Sequence, residues 1–325
     1  MSVLITGGAG YIGSHVTYGL LDRGEDVVVL DNLSTGSRRL IGADARFVEG
    51  DAGDQNLVRA LLREHRIEAV IHFAGSIVVP ESVADPLRYY ANNTVASRAL
   101  IEACVAEGVG NFIFSSTATV YAEDAPQPLA EDSPKWPISP YARSKLMTEW
   151  MLEDASRAHD FRHHVLRYFN VAGADPKGRT GQSTPRATHL IKRACQVALG
   201  RVAQIDIFGT DYPTPDGTGV RDYIHVTDLA DAHLLALDAL RGGAASATYN
   251  VGYGRGFSVR DVIATVEREI GRPLPARETA RRPGDPPTLV ANSSLLRSTL
   301  GWVPAHDDLG EIVRSAYDWE RQLNA

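Results

Sequence analysis

The chain has 325 residues, 44% hydrophobic and 22% charged, enough apolar material for one large core or two modest ones and too much for a disordered protein. Lys and Arg number 33 against 40 Asp and Glu, a net charge of -7 with no basic block, which argues against a nucleic-acid groove. No apolar run approaches the about 20 residues of a membrane span, and no charged leader precedes the first strand, so a soluble, cytoplasmic protein is expected.

Val3-Leu-Ile-Thr6 is a short apolar run. Gly7-Gly-Ala-Gly10-Tyr11-Ile12-Gly13 follows at once, and a helical pattern continues through Ser14, His15, Val16, Leu20 and Leu21. This order of strand, glycine turn and helix suits a dinucleotide. Gly7 permits the tight turn, Gly10 lets the backbone approach a pyrophosphate, and Gly13 allows close helix packing, while free N–H groups and the helix dipole supply positive charge. A second strand, Asp26-Val-Val-Val-Leu30, ends in Asp31, where a carboxylate accepts from both ribose hydroxyls and repels a 2′-phosphate. NAD is therefore expected rather than NADP. No Gly-Lys-Ser or Gly-Lys-Thr closes the turn, which excludes a Walker loop.

Further strand-like runs are Arg46-Phe-Val-Glu49 before Asp51, Ala69-Val-Ile-His-Phe73 before Ala74-Gly75, and Asn111-Phe-Ile-Phe114 before Ser115-Ser116-Thr117. Each residue after a strand falls on the ligand edge of an α/β sheet. Asp51 suits the adenine amino group, or else caps a helix toward Gln55. Helical spacing runs from Pro86 to Glu107, so alternating strands and helices predict a Rossmann-type, doubly wound parallel sheet. Cys104 and Cys195 sit in apolar helical patterns without His or Cys at ligand spacing, which reads as buried free thiols and predicts neither disulfide nor metal site.

Tyr141-Ala-Arg-Ser-Lys145 puts a phenol and an ammonium on one helix face, and Ser139-Pro140 ahead of it reads as N-cap and first-turn proline. A nearby ammonium favours the phenolate, so Tyr141 is a candidate acid and base. After Asn170 the βα rhythm breaks into turn-rich loops, notably 211–219 and 282–287. We expect a dinucleotide domain over 1–170, with 222–240 packing back on it, and a smaller domain over 171–325 that holds the substrate.

The residues resemble the extended short-chain dehydrogenase/reductase family, and within it the nucleotide-sugar 4-epimerases, nearly end to end. The likeness rests on Gly7 to His15, Asp31-Asn-Leu33, His72-Phe-Ala-Gly75, Phe114 to Tyr121, Tyr141 to Lys145, Leu166 to Asn170, Gly217 to His225 and Arg281 to Asp285. It implies reversible C4 epimerisation of UDP-galactose and UDP-glucose through a transient 4-keto sugar, with tightly bound NAD exchanging hydride with C4. Tyr141 would be the acid and base, Thr117 would bond the same sugar oxygen, and Lys145 would tune the phenol and grip the nicotinamide ribose. The resemblance adds Asn32, Ala52, Phe73, Ala74, Gly75, Asn92 and Phe169 to the cofactor contacts. It gives Asn170, His189, Leu190, Phe208, Arg221 and Arg282 to the UDP-sugar.

Plainer roles compete for some of these. Thr117 suits a bond to its own turn, Arg221 a surface ion pair with Asp222, and Arg282 a place in an Arg-Arg loop, while His72, His163 and His164 read as structural. The chain departs from relatives that carry lysine where Ile77 stands and asparagine where His189 stands. A dehydratase would need an Asp-Glu pair at Ala118-Thr119. The remaining alternatives are a dehydrogenase releasing NADH, a non-catalytic NAD-dependent sensor, and an epimerase of UDP-N-acetylhexosamines. Leu289, intermediate in bulk, stands where relatives admit or exclude the acetamido group. The family also implies a homodimer through helices 86–107 and 141–158.

Overall fold

The computed structural model describes residues 2–184, 188–282 and 285–323. Its first strands, β1 (Ser2–Thr6), β2 (Asp26–Asp31), β3 (Arg46–Glu49), β4 (Ile67–His72), β5 (Asn111–Thr117) and β6 (Arg162–Tyr168), are joined by helices. The remaining strands are β7 (Asn170–Ala172), β8 (Ile205–Phe208), β9 (Val220–His225), β10 (Ala247–Val251), β11 (Gly256–Ser258), β12 (Ala276–Thr279) and β13 (Thr288–Leu289). Seven strands form one sheet in the order β10-β6-β5-β4-β1-β2-β3, with every pairing parallel.

A parallel sheet covered on both faces requires strands apolar on both sides, and β1 and β2 obey. Val3, Ile5, Val27 and Val29 pack into the core under the Tyr11–Asp22 and Val226–Arg241 helices. Leu4, Val28 and Leu30 enter the opposite core with Val58, Leu61, Leu100 and Leu152. The chain order reverses between β1 and β4, so the carboxyl ends of those strands open a crevice where such sheets bind ligands.

Residues after 170 do not form a sequential second layer. The Val226–Arg241 helix lies in the sheet's core and β10 supplies the sheet's edge strand. Outside the sheet, a third core gathers Ile191, Cys195, Val262, Val266, Ile312 and Val313 from the Leu190–Ala198, Val259–Ile270 and Leu309–Gln322 helices. Strands β7, β11 and β13 pair with β9, and β8 pairs with β12. Both cysteines are buried and free. Among the described residues no helix is long and apolar enough to cross a membrane, and no cluster of three His, Cys, Asp or Glu converges as metal ligands would.

Candidate active site

The glycine turn leaves β1 and enters the Tyr11–Asp22 helix with Gly10 at its N-cap and no side chain capping it. Helix-opening N–H groups have no intrahelical partner, so those of Tyr11, Ile12 and Gly13 are free to meet an anion. Gly7 has φ +74°, and a Cβ there would lie 2.5 Å from the Ala74 nitrogen. On Gly13 a Cβ would lie 2.4 Å from the Gly7 oxygen, whereas on Gly10 its nearest contact is that same oxygen at 3.2 Å. Gly7 and Gly13 are thus demanded by the protein's own packing, whereas a Cβ on Gly10 would make a single tight contact, with the Gly7 oxygen. The Tyr11 hydroxyl donates to the Gly173 carbonyl at 2.7 Å, tying the helix to the chain beyond β7.

Asp31 ends β2 with one carboxylate oxygen accepting from Ala9 N–H at 2.9 Å and the other from Leu33 N–H at 2.8 Å. Leu33 is held at φ +57°. Burial raises the Asp31 carboxyl from its ordinary range, and those two N–H groups oppose the rise. Beyond β3, Asp51 accepts from Gly53 N–H at 2.7 Å and from Asn32 at 3.3 Å. It does not cap the next helix; Asp54 does, accepting from Asn56 and Leu57. That leaves Asp51 and Asn32 together at the sheet edge, beside buried Ala52.

After β4, Phe73 and Ala74 both donate backbone N–H to the Thr6 carbonyl, which lays Phe73-Ala74-Gly75 against the glycine turn. His72 bonds Thr6 at 2.6 Å and Ser97 at 2.8 Å, a structural role. The following helical run contains a π segment, Tyr90–Val95. The Asn92 amide donates to Ser76 Oγ, while buried Asn93 bridges the Ser76 backbone and Ser144 Oγ. Asn93 was not expected, and it is the residue that locks the Gly75-Ser76 loop to the Tyr141 helix.

Thr117 closes β5. Its hydroxyl accepts from Thr119 N–H at 3.2 Å, so it does cap its own turn, and it also faces the Tyr141 phenol. Tyr141 lies in the first turn of the Pro140–Ala158 helix, capped by Ser139, whose hydroxyl accepts from Ala142 N–H at 3.2 Å. One turn on, buried Lys145 donates to the Ser115 carbonyl at 2.9 Å and lies 4.9 Å above the Phe114 ring. Burial pushes the Tyr141 phenol up to about 12, with Thr117 opposing it, and pulls the Lys145 ammonium down to about 8, with Glu149 opposing that. A bound cation near the phenol would act against the rise, as attraction to an opposite charge stabilises phenolate.

The residues expected to hold the substrate fall into neighbouring groups. Asn170, His189, Leu190 and Tyr223 line one cavity with Gln182. There the Gln182 amide nitrogen donates to His189 Nδ1 at 2.7 Å, which assigns the ring proton to Nε2. Arg221 pairs in β9 opposite Leu289 of β13, and its guanidinium pairs with Asp285. The Asp222 surface pair does not form. Asp222 is buried and accepts from the N–H groups of Tyr253, Gly254 and Ala291. Arg282 stacks over Phe208 at 3.7 Å from the ring centre. Phe169 and Leu289 share an apolar cluster with Ala118, which continues the wall beyond Thr117. Part of the 282–287 loop, residues 283 and 284, lies outside the described residues.

A parallel sheet with a glycine turn at its switch point and a buried tyrosine–lysine pair beyond β5 defines an NAD-using member of the α/β oxidoreductase-like enzymes. The chain belongs to the NAD dependent epimerase/dehydratase family, whose model matches residues 3–252. It is 59% identical over 321 residues to a UDP-glucose 4-epimerase from Azospirillum brasilense, covering 99% of this chain and 92% of that protein. It also resembles the UDP-glucose 4-epimerase from Brucella ovis solved in complex with NAD, at 44% identity and a TM-score of 0.95, covering 98% of this chain and 97% of that one. A UDP-Glc/GlcNAc 4-epimerase from Campylobacter jejuni is 47% identical with a TM-score of 0.85, each chain being covered to 99%.

Proposed function

We propose that this protein interconverts UDP-galactose and UDP-glucose by inverting C4 of the hexose. The observation that carries the reading is the meeting of Thr117, Tyr141 and Lys145 at the carboxyl end of β5, beside a glycine cradle with space for a pyrophosphate. NAD fits that cradle through the Tyr11 to Gly13 N–H groups, Asp31 and the Phe73-Ala74-Gly75 strand end, and when bound it supplies reversible hydride acceptance at C4.

Tyr141 takes the C4 hydroxyl proton with Thr117 bonding the same oxygen; together with the hydride acceptance that bound NAD would supply at C4, this converts the alcohol into a 4-keto sugar. Lys145 stabilises the phenolate form and so brings the phenol toward working pH. The sugar then turns about its link to the diphosphate, so that C4 would offer its other face to the returning hydride, and Tyr141 returns the proton to the C4 oxygen. Turning requires that affinity come from the UDP moiety, since a tightly gripped ring could not rotate. Arg221, Arg282 and the His189 Nε2–H are suited to the diphosphate, Asn170 to phosphate or ribose, and Phe208 to the base.

Water elimination lacks its acid: Ala118-Thr119 stands where a dehydratase carries carboxylates. The UDP-N-acetylhexosamines stay a second substrate pair to test, because partly buried Leu289 is intermediate in bulk between a residue that admits the acetamido group and an aromatic ring that excludes it. We also propose a homodimer through the 86–107 and 141–158 helices, whose Leu87, Val95 and Trp150 are 77%, 59% and 54% exposed. The two buried free thiols support a cytoplasmic location. Incubation of purified protein with UDP-galactose, followed by NMR, tests the reading. UDP-glucose should appear without steady NADH production, and no conversion despite bound NAD would leave the sensor reading standing.

A further inference from the structure

Tyr141 and Lys145 are followed at the same four-residue spacing by Glu149, which the sequence motifs do not single out. Its carboxylate is buried among three elements. One oxygen accepts from Ser116 Oγ at 2.5 Å and from Arg167 Nε at 3.1 Å, and the other accepts from Arg167 Nη2 at 2.6 Å. Ser116 stands between Ser115, whose carbonyl takes the Lys145 proton donor, and Thr117, which faces the phenol. Arg167, on β6, donates onward to the Tyr121 hydroxyl at 2.8 Å and to the Glu131 carbonyl at 2.9 Å. The Tyr121 hydroxyl donates to Asn250, and Asn250 donates to the Leu129 carbonyl. Leu129 pairs with the Val290 and Asn292 backbone next to Leu289.

A buried ion pair is poor value for stability alone, because two charges must leave water. This one sits where the catalytic strand, the catalytic helix and the sugar-side wall meet. We propose that Glu149 and Arg167 are positioning residues for the C4 reaction: they fix the Ser115-Ser116-Thr117 strand end against the Tyr141 helix and set the electrostatic field at Lys145. The inference rests on the epimerase reading.

The groups facing Lys145 can be enumerated. From its own helix come Tyr141 and Glu149, from β5 the Ser115 carbonyl, from β4 His72, and behind Glu149 stands Arg167. Burial, with Lys145 adding to it, pulls His72 down to about 3, so it is neutral across the working range. Tyr89 and Tyr168 lie near Tyr141 and stay protonated, since burial raises both. Glu149 is therefore the one carboxylate in this set, and Arg167 the fixed cation it pairs with; farther from Lys145, Lys135 acts on both members of that pair and the Glu131 carboxylate acts on Arg167.

Glu149→Gln removes the anion and leaves the Arg167 charge opposed only by the more distant Glu131, and both changes lower the affinity of Lys145 for its proton. In the NAD-loaded enzyme the alkaline limb of the kcat profile should move down by about one pH unit or more. The Nζ titration of Lys145 followed by NMR should move the same way, and it needs no substrate, so it decides the proposal even where the wild type fails to turn over UDP-galactose. Ser116→Ala keeps the ion pair whole and is expected to fold even where Glu149→Gln does not. It should lower kcat by about tenfold with KM and the alkaline limb unchanged, because only the strand end loosens, and Ser116→Thr should restore the rate. A folded Glu149→Gln with an unshifted limb and unshifted Lys145 titration, or a Ser116→Ala variant with wild-type kcat, overturns the proposal.

Discussion

Gly10→Ala separates the cofactor cradle from the packing around it. A methyl on Gly10 would meet only the Gly7 oxygen, at 3.2 Å, and the backbone there, φ -82° and ψ 178°, is open to alanine. Alanine is a poorer N-cap than glycine by up to about 1 kcal/mol, while its stiffer unfolded chain returns about 0.4–1 kcal/mol. These effects offset, so the NAD-free variant should melt close to wild type. On Gly13 the methyl would stand 2.4 Å from the Gly7 oxygen and 2.8 Å from the Gly8 Cα, both backbone atoms. Overpacking of that kind costs about 1–3 kcal/mol with or without ligand. The Gly10 methyl shows its effect only when NAD arrives, because it occupies the approach of the pyrophosphate. Each hydrogen bond to a charged group that is lost costs about 1.5–3 kcal/mol, or about 10- to 150-fold in affinity. Calorimetric melting of stripped protein and titration with NAD measure the two quantities separately. A Gly10→Ala variant that binds NAD as wild type does, or whose stripped form is as destabilised as Gly13→Ala, refutes the reasoning.

Lys145 sits about 8 in the folded protein against an ordinary 10.5. Between those values the unfolded chain carries the additional proton, so this group makes stability rise with pH across that window. At pH 7 its protonated form costs the fold about 3 kcal/mol and its charge-assisted bond to Ser115 returns about 1.5–3 kcal/mol, so NAD-free Lys145→Met should melt close to wild type at pH 7 while losing most activity; a much lower melting temperature contradicts this. Leu289→Tyr should depress kcat/KM for UDP-N-acetylgalactosamine by about 10- to 200-fold relative to UDP-galactose, the range a filled pocket gives, and equal effects on both sugars would remove Leu289 from the sugar wall. Leu87→Glu should convert dimer to monomer in analytical ultracentrifugation, and an unchanged sedimentation coefficient counts against the helical interface.

Much of the architecture was legible because local signals and burial agree. The Val3 to Thr6 run, the glycine turn and Asp31 read as strand, turn and ligand edge, and β1, its helix and β2 stand there. The Ser139-Pro140 start also matches the observed cap. What local pattern could not give was the choice among near-equal partners. Asp51 and Asp54 are both able to cap, and the true helix start selects Asp54. Arg221 has Asp222 beside it in sequence, yet the fold turns Asp222 inward onto backbone N–H groups and offers Asp285 instead. Buried Asn93, next to Asn92 in the π segment, carried no local signal of the loop it holds. Strand β10 is short and half polar, so only its register on β6 reveals it as the sheet's edge. Glu149 did carry a signal, a charge at helical spacing from two catalytic candidates, but burial is what distinguishes it from a solvated face.

The central claim is that the Tyr141 hydroxyl moves the C4 proton. Its most direct measurement is the rate of UDP-galactose to UDP-glucose conversion by Tyr141→Phe holding a full complement of NAD. Loss of the acid and base predicts a kcat about 10²- to 10⁴-fold below wild type with the cofactor still in place. Inversion of C4 at the wild-type rate would contradict the account.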